Sequence, residues 1–190
     1  MPRVGERGVA LANPQHVAGR YLGGPEWIVA AAGTLELVAD SPLLERSKAD
    51  HAFSQLRSSQ LAIVSKESGS AIGVSAYFEV RPEHRSLEIG NTWIARQFQR
   101  TKINPEAKFL MLTHAFEELG AIRVELKTDA RNRQSRRGIE KLGAKREGIL
   151  RSHMIMPDGH IRDTVVYSIT AAEWPNVKES LIARLGYQPP

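Results

Sequence analysis

The chain has 190 residues, 42% of them hydrophobic, a net charge of +5 and no cysteine. That is enough apolar material for one sizeable core and short for two domains, and disulfides, thiolate metal sites and a cysteine nucleophile are excluded. No apolar run could span a bilayer, Trp27–Ala32 being far too short, and no charged-then-apolar leader is visible, so a cytoplasmic protein is expected.

In chain order, Gly8–Leu11 reads as a short strand, Asn13-Pro14 opens a weak helix ending near Gly23-Gly24-Pro25, and Ser41-Pro42 caps a second helical stretch to about Arg57. Leu61–Val64 and Ala71–Val80 are β-type runs joined by the turn-rich Lys66–Ser70, a hairpin signature. Pro82–Arg85 turns the chain into a strand over Leu87–Ile94. A polar loop with the cations Arg100 and Lys102 follows. Asn104-Pro105-Glu106 then supplies an N-cap, a first-turn proline and an acid beside the positive helix end. Backbone N–H groups at such an end suit an anion, and a phosphorylated cofactor is the candidate.

The helix expected over Pro105–Leu119 carries Ala107, Leu110, Met111, Ala115 and Leu119 on one broad face, with Gly120 as its left-handed end. Ile122–Lys127 is a strand, and so short a return from strand through helix to strand implies a right-handed crossover and parallel pairing. Arg133–Leu142 is a second helix closed by Gly143. Gly148–Ile155 and Ile161–Ile169 flank the turn Pro157-Asp158-Gly159, and Trp174–Leu185 is a final helix before Gly186. The sum is a mixed sheet with helices on both faces. The pI of about 9.7 suits nucleic acid or an acidic small molecule alike, and no ribonucleoprotein signature supports the former.

From about Leu61 to Leu185 several motifs stand in a familiar order: Glu88-Ile89-Gly90, Asn104-x-Glu106-Ala107-Lys108, Arg123-Val-Glu-Leu-Lys127, Asn132-x-x-Ser135, Leu142-Gly143-Ala144, Glu147-Gly148, Pro157-Asp158-Gly159, and Asp163 before Tyr167-Ser168. In this the chain resembles the GNAT superfamily of N-acetyltransferases, particularly the RimJ/RimL-like branch that acetylates ribosomal-protein N-termini. The family loop reads Gln/Arg-x-x-Gly-x-Gly/Ala; Gln99 holds its first position, but Lys102 and Asn104 stand where the glycines usually are. The resemblance implies an α/β (α+β) fold: a mixed, mostly antiparallel sheet of about six or seven strands with a splayed parallel pair. It implies one domain over residues 1–190, with 1–60 a divergent acceptor-side region and 61–185 the cofactor-binding core.

The resemblance further implies transfer of an acetyl group from acetyl-CoA, without a metal, to a primary amine on a protein N-terminus or a small molecule. The alternative is a weak or inactive CoA-binding protein of the same fold, favoured by the altered glycine positions. Expected partners are the amine acceptor, with no membrane, no direct nucleic-acid contact, and room for a homodimer. By resemblance Trp93 and Ile94 wall the pantetheine arm, with a core position for Trp93 as the competing reading. Gln99, Arg100, Thr101, Lys102 and Asn104 meet the diphosphate. Asn132 bonds the arm or simply caps its helix, Arg136 and Arg137 reach toward the ribose phosphate or form a solvated face, and Ser135 lies near the sulfur as general acid. The tyrosine many relatives use as acid is Ile139 here, which passes that role to Ser135, Tyr167 or water.

Direct attack by an amine needs a base, because a protonated amine has no lone pair. Glu88 stands eleven residues before Gln99, the spacing of the catalytic glutamate in some histone-type relatives, among apolar neighbours that would raise its pKa; a strand glutamate paired with a cross-strand cation is the plainer reading. His153, on the late hairpin, is the second candidate base.

Overall fold

The computed structural model describes residues 59–65 and 70–186. The expected strand at Gly8–Leu11, the two early helices and most of the Lys66–Ser70 turn lie outside them. Among the described residues, β1 (Ser59–Val64), β2 (Ala71–Arg81), β3 (Ser86–Ile94), β4 (Arg123–Asp129), β5 (Lys145–Ile155) and β6 (Ile161–Thr170) form one sheet in the order β1-β2-β3-β4-β6-β5. Every neighbouring pair is antiparallel except β3 and β4, which run parallel across the helical crossover.

Alternation along these strands separates two faces. Tyr77, Leu87, Ile89, Val124, Leu126, Val165, Tyr167 and Ile169 share one and are buried in the main core. Three helices cover that face: α1 (Ile103–Thr113), α2 (Arg133–Glu140) and α3 (Trp174–Leu185). Met111, Leu112 and Ala115 on the first, Ile139 and Leu142 around the second, and Trp174, Val177 and Leu181 on the third join the same core. Ile139, in the place of the family's tyrosine, is therefore a packing residue. Each such side chain contributes about 1.5–3 kcal/mol when fully buried.

The first helix departs from its expected bounds. It starts at Ile103, and Asn104 is inside its first turn rather than its cap. Thr101 does the capping, its Oγ1 accepting the Ile103 N–H at 3.3 Å, while the Glu106 N–H closes the turn on the Lys102 carbonyl. The far end widens into a π turn over His114–Glu118 before Gly120 ends it at φ +66°.

Gly73 lets β2 approach β3 closely. A Cβ there would meet the Trp93 carbonyl oxygen at 2.6 Å, a backbone atom that cannot swing aside. Gly73→Ala is expected to lose about 1–3 kcal/mol by forcing the strands apart, read as a lower urea midpoint at unchanged slope.

Candidate active site

The sheet forks at its parallel pair. β3 and β4 are joined only through Ser86 with Arg123, Leu87 with Val124 and Glu88 with Glu125. Beyond Glu88 the two strands run on, to Ile94 and Asp129, without a shared ladder. β3 stays paired to β2 as far as Ile94 opposite Gly73, so its other edge borders an open wedge. Just inside the wedge the β2–β3 register slips between Val74 and Ala76, and Asn91 takes φ +47°. This bulge re-aims the last residues of the strand.

Glu88 stands at the vertex of the fork, on the face away from the three helices. Its carboxylate is buried to 4% exposure, and Oε2 accepts from Lys127 Nζ at 2.8 Å. The apolar neighbours and the cross-strand cation foreseen for it are both present. Burial raises its pKa, partly offset by the Lys127 hydrogen bond and charge. Glu125, directly opposite, goes the other way. Burial works against its charge too, but Lys127, Arg123 and Arg81 outweigh that and lower its pKa. Two carboxylates on paired positions are thus pushed apart, and Glu88 is the one suited to take up a proton.

Five residues beyond the vertex, near the end of β3, the exposed Trp93 (61%) and its partner Val74 (36%) present apolar surface. Trp93 is therefore not a core residue. Its neighbour Ile94 turns inward and packs with Ile63, Ile72, Ile103 and Ala107.

The loop after β3 is held by its own side chains. Gln99 Nε2 donates to the Ile94 carbonyl at 2.9 Å, Thr101 Oγ1 to that of Phe98 at 2.7 Å, and Arg100 adopts φ +64°. Lys102 points elsewhere: Nζ donates to the Leu185 carbonyl at 2.8 Å, capping the last turn of α3. Arg96 and Arg100 stay exposed beside the start of α1. Asn104 Oδ1 is buried and, among the described residues, has no hydrogen-bond partner.

Across the fork, Asn132 caps α2, its Oδ1 accepting the Ser135 N–H at 2.9 Å. Ser135 sits half-buried in the first turn of α2. Arg136 folds inward, donating to the Ala130 carbonyl at 3.2 Å and toward Tyr167 Oη at 3.4 Å, so of the arginine pair only Arg137 remains a solvated side chain. Tyr167 is fully buried and donates to Glu140 at 2.9 Å. His153 is exposed on β5, with Nδ1 at 3.0 Å from Thr164 Oγ1. Thr164 pairs with Asp129, the end of β4, so the histidine stands at the level of the fork's open end but two strands away.

Sequence reasoning missed Lys108. It is buried to 5% exposure on α1, and Nζ lies 2.8 Å from Ser75 Oγ and 2.6 Å from Thr92 Oγ1. The signal was available, since Lys108 precedes Met111, Leu112 and Ala115 by three, four and seven residues and so shares their inward face.

Comparison with known proteins matches this architecture. A family model described as an acetyltransferase (GNAT) domain covers residues 11–145. The Bacillus subtilis (strain 168) protein named "Putative ribosomal N-acetyltransferase YdaF" is 34% identical over 110 residues, 58% of this chain and 59% of its own length. The crystal structure of a "putative acetyltransferase" from T. thermophilus shares 45% identity over 67% of this chain and 66% of that one, at a TM-score of 0.63. A GCN5-related N-acetyltransferase structure from Brucella melitensis shares 30% over 77% and 67%, at 0.65. The chain thus spans about 60% of the length of that curated relative and about two thirds of these two solved chains. With well over half of its residues under the family model and the forked parallel pair in place, the chain belongs to the GNAT acetyltransferase family.

Proposed function

We propose that the protein is an N-acetyltransferase that carries an acetyl group from acetyl-CoA to a primary amine by direct attack, within one domain over residues 1–190 and in the cytoplasm. The observation that carries the reading is the fork, with Glu88 at its vertex. An open strand edge offers backbone groups to an amide-rich arm, and a buried carboxylate of raised pKa waits on the face beside it.

In this reading Glu88 takes the proton of the incoming ammonium. The new C–N bond forms as the C–S bond breaks, and Ser135, at the start of α2, assists the departing thiolate. His153 is the second candidate for the base. Trp93, Ile94 and Asn132 line the two sides of the arm, and the loop Gln99, Arg100, Thr101, Lys102, Asn104 meets the diphosphate. Within that loop the task falls to Arg100, because the Lys102 amine is already bonded to Leu185.

The name of the relative, a putative ribosomal N-acetyltransferase, favours an amine on a ribosomal component as acceptor, and a protein N-terminus is the proposed case. A second copy of the chain is proposed along β5, an outer strand whose Ile149, Leu150, Met154 and Ile155 are exposed. Among the described residues no helix is long and apolar enough to cross a membrane.

The test is incubation with acetyl-CoA and a panel of peptides and small amines, following thiol release and product mass. Thiol release that depends on the amine, with a product about 42 Da heavier as one acetyl group requires, supports the reading; stabilisation by CoA without transfer would assign the protein to cofactor binding alone. The loop gives a finer prediction. Arg100→Glu is expected to weaken CoA binding at least about tenfold at low salt. Lys102→Met should change affinity less than about threefold yet cost about 1 kcal/mol of stability through the lost helix cap. Calorimetric titration and urea unfolding of both variants separate the two roles.

A further inference from the structure

Lys108 crosses from α1 to the sheet at the point where β2 and β3 lose register. Its Nζ, Ser75 Oγ and Thr92 Oγ1 form a closed triangle of 2.8, 2.6 and 2.9 Å, and Ser75 Oγ reaches on to the Gly90 carbonyl at 3.3 Å. Both strands face the amine with hydroxyls, its neighbours one turn away on α1 are Asn104, Met111 and Leu112, and among the described residues no carboxylate pairs with it. Burial alone brings this ammonium from 10.5 down to about 7.

An amine in such a place contributes little to stability, since an apolar side chain of the same length would fill the space without the desolvation cost. The triangle spans the bulge, with Ser75 on β2 and Thr92 on β3 at the slip in register. Asn91 at φ +47° lies in the left-handed region, which asparagine enters more readily than other non-glycine residues and which marks the irregular point of the strand. The residues re-aimed by it, Thr92, Trp93 and Ile94, form the free edge of the fork.

We propose that Lys108 is a positioning residue for acetyl transfer: by tying Ser75 and Thr92 together under α1 it fixes the β3 bulge and so sets the backbone edge along which the fork presents its hydrogen-bonding groups. The proposal rests on the N-acetyltransferase reading above. Its structural half can be measured without any ligand, which keeps the two separable.

The experiment uses the full chain with Lys108→Met, Thr92→Val and the double variant. In the unliganded protein, the amide resonances of Asn91–Ile94 are expected to move between pH 6 and 8 in wild type. In Lys108→Met they should take new positions that no longer respond. With acetyl-CoA and an amine that wild type acetylates, each single variant should lose about 10- to 100-fold in kcat. The KM for acetyl-CoA should stay within about threefold, and the double variant should be no worse than the weaker single. Thr92 is exposed, so Thr92→Val keeps the test open should Lys108→Met fold poorly. Unmoved resonances, or a raised KM with unchanged kcat, overturn the proposal. Wild type that acetylates nothing overturns the reading on which it rests, while the resonances still decide whether Lys108 sets the bulge.

Discussion

Glu88→Gln is expected to lower turnover by about 10²- to 10⁴-fold at pH 7 with the KM for acetyl-CoA nearly unchanged, the range typical of losing a general base. The substitution keeps the side chain's shape and leaves Lys127 paired with Glu125 at 3.1 Å, so the fork should stay folded. Its pH profile carries the sign. The carboxylate form is the base, and because burial raises the Glu88 pKa, wild-type kcat/KM should fall with acidity at a pH above the ordinary carboxylate range. Glu88→Gln should lose that limb and recover activity at high pH, where the amine arrives already neutral. His153→Ala, altering an exposed ring that contacts Thr164, should cost little by comparison. A folded Glu88→Gln with wild-type turnover would hand the proton to His153 or to solvent.

The second large effect is on stability. Lys108 has a pKa of about 7 in the folded chain against 10.5 for an ordinary lysine, so between those values the unfolded state binds more protons. Unfolding free energy should therefore rise with pH from about 7 toward 10 and be lowest, as far as this group is concerned, below 7. A shift of this size corresponds to something on the order of 5 kcal/mol across the window. Lys108→Met removes the penalty and the slope together. The variant should be at least as stable as wild type at pH 7 even after losing two hydrogen bonds, because Ser75 and Thr92 can still bond each other and the Gly90 carbonyl. Urea unfolding from pH 6 to 9 checks this, and parallel curves for the two proteins would show that Lys108 is not what carries the pH dependence. A variant that gains stability while losing turnover would be the trade-off expected of a residue kept for function.

Local chemistry made much of the fold legible. Pro157-Asp158-Gly159 is a turn by its own residues: Gly159 takes φ +78° and Asp158 accepts the His160 N–H, so the β5–β6 hairpin could be read without its neighbours. The same holds for the Asn132 cap, for the left-handed Gly120, and for α3, whose span from Trp174 to Leu185 follows from a proline near its start and a glycine after its end. The fork was foreseen only through the resemblance, whereas parallel pairing followed from the short crossover. What escaped depends on partners far along the chain. Lys102 reads as a loop cation until Leu185, 83 residues later, comes beside it. For Glu88 a raised pKa and a cross-strand cation were both legible, but which cation it meets, Lys127, 39 residues away, was decided only when the sheet assembled. For Trp93 the sequence left a cofactor wall and a core position both open, and the exposed side chain beyond the bulge at Asn91, which no local motif announces, excludes the core. Lys108 is the plainest case. Helical spacing places it on the inner face, but only the hydroxyls of Ser75 and Thr92, brought under α1 by tertiary packing, make a buried amine tolerable there. Short-range hydrogen bonding and backbone preference act within a few residues and are written in the sequence, while desolvation and charge pairing depend on what the folded chain brings together.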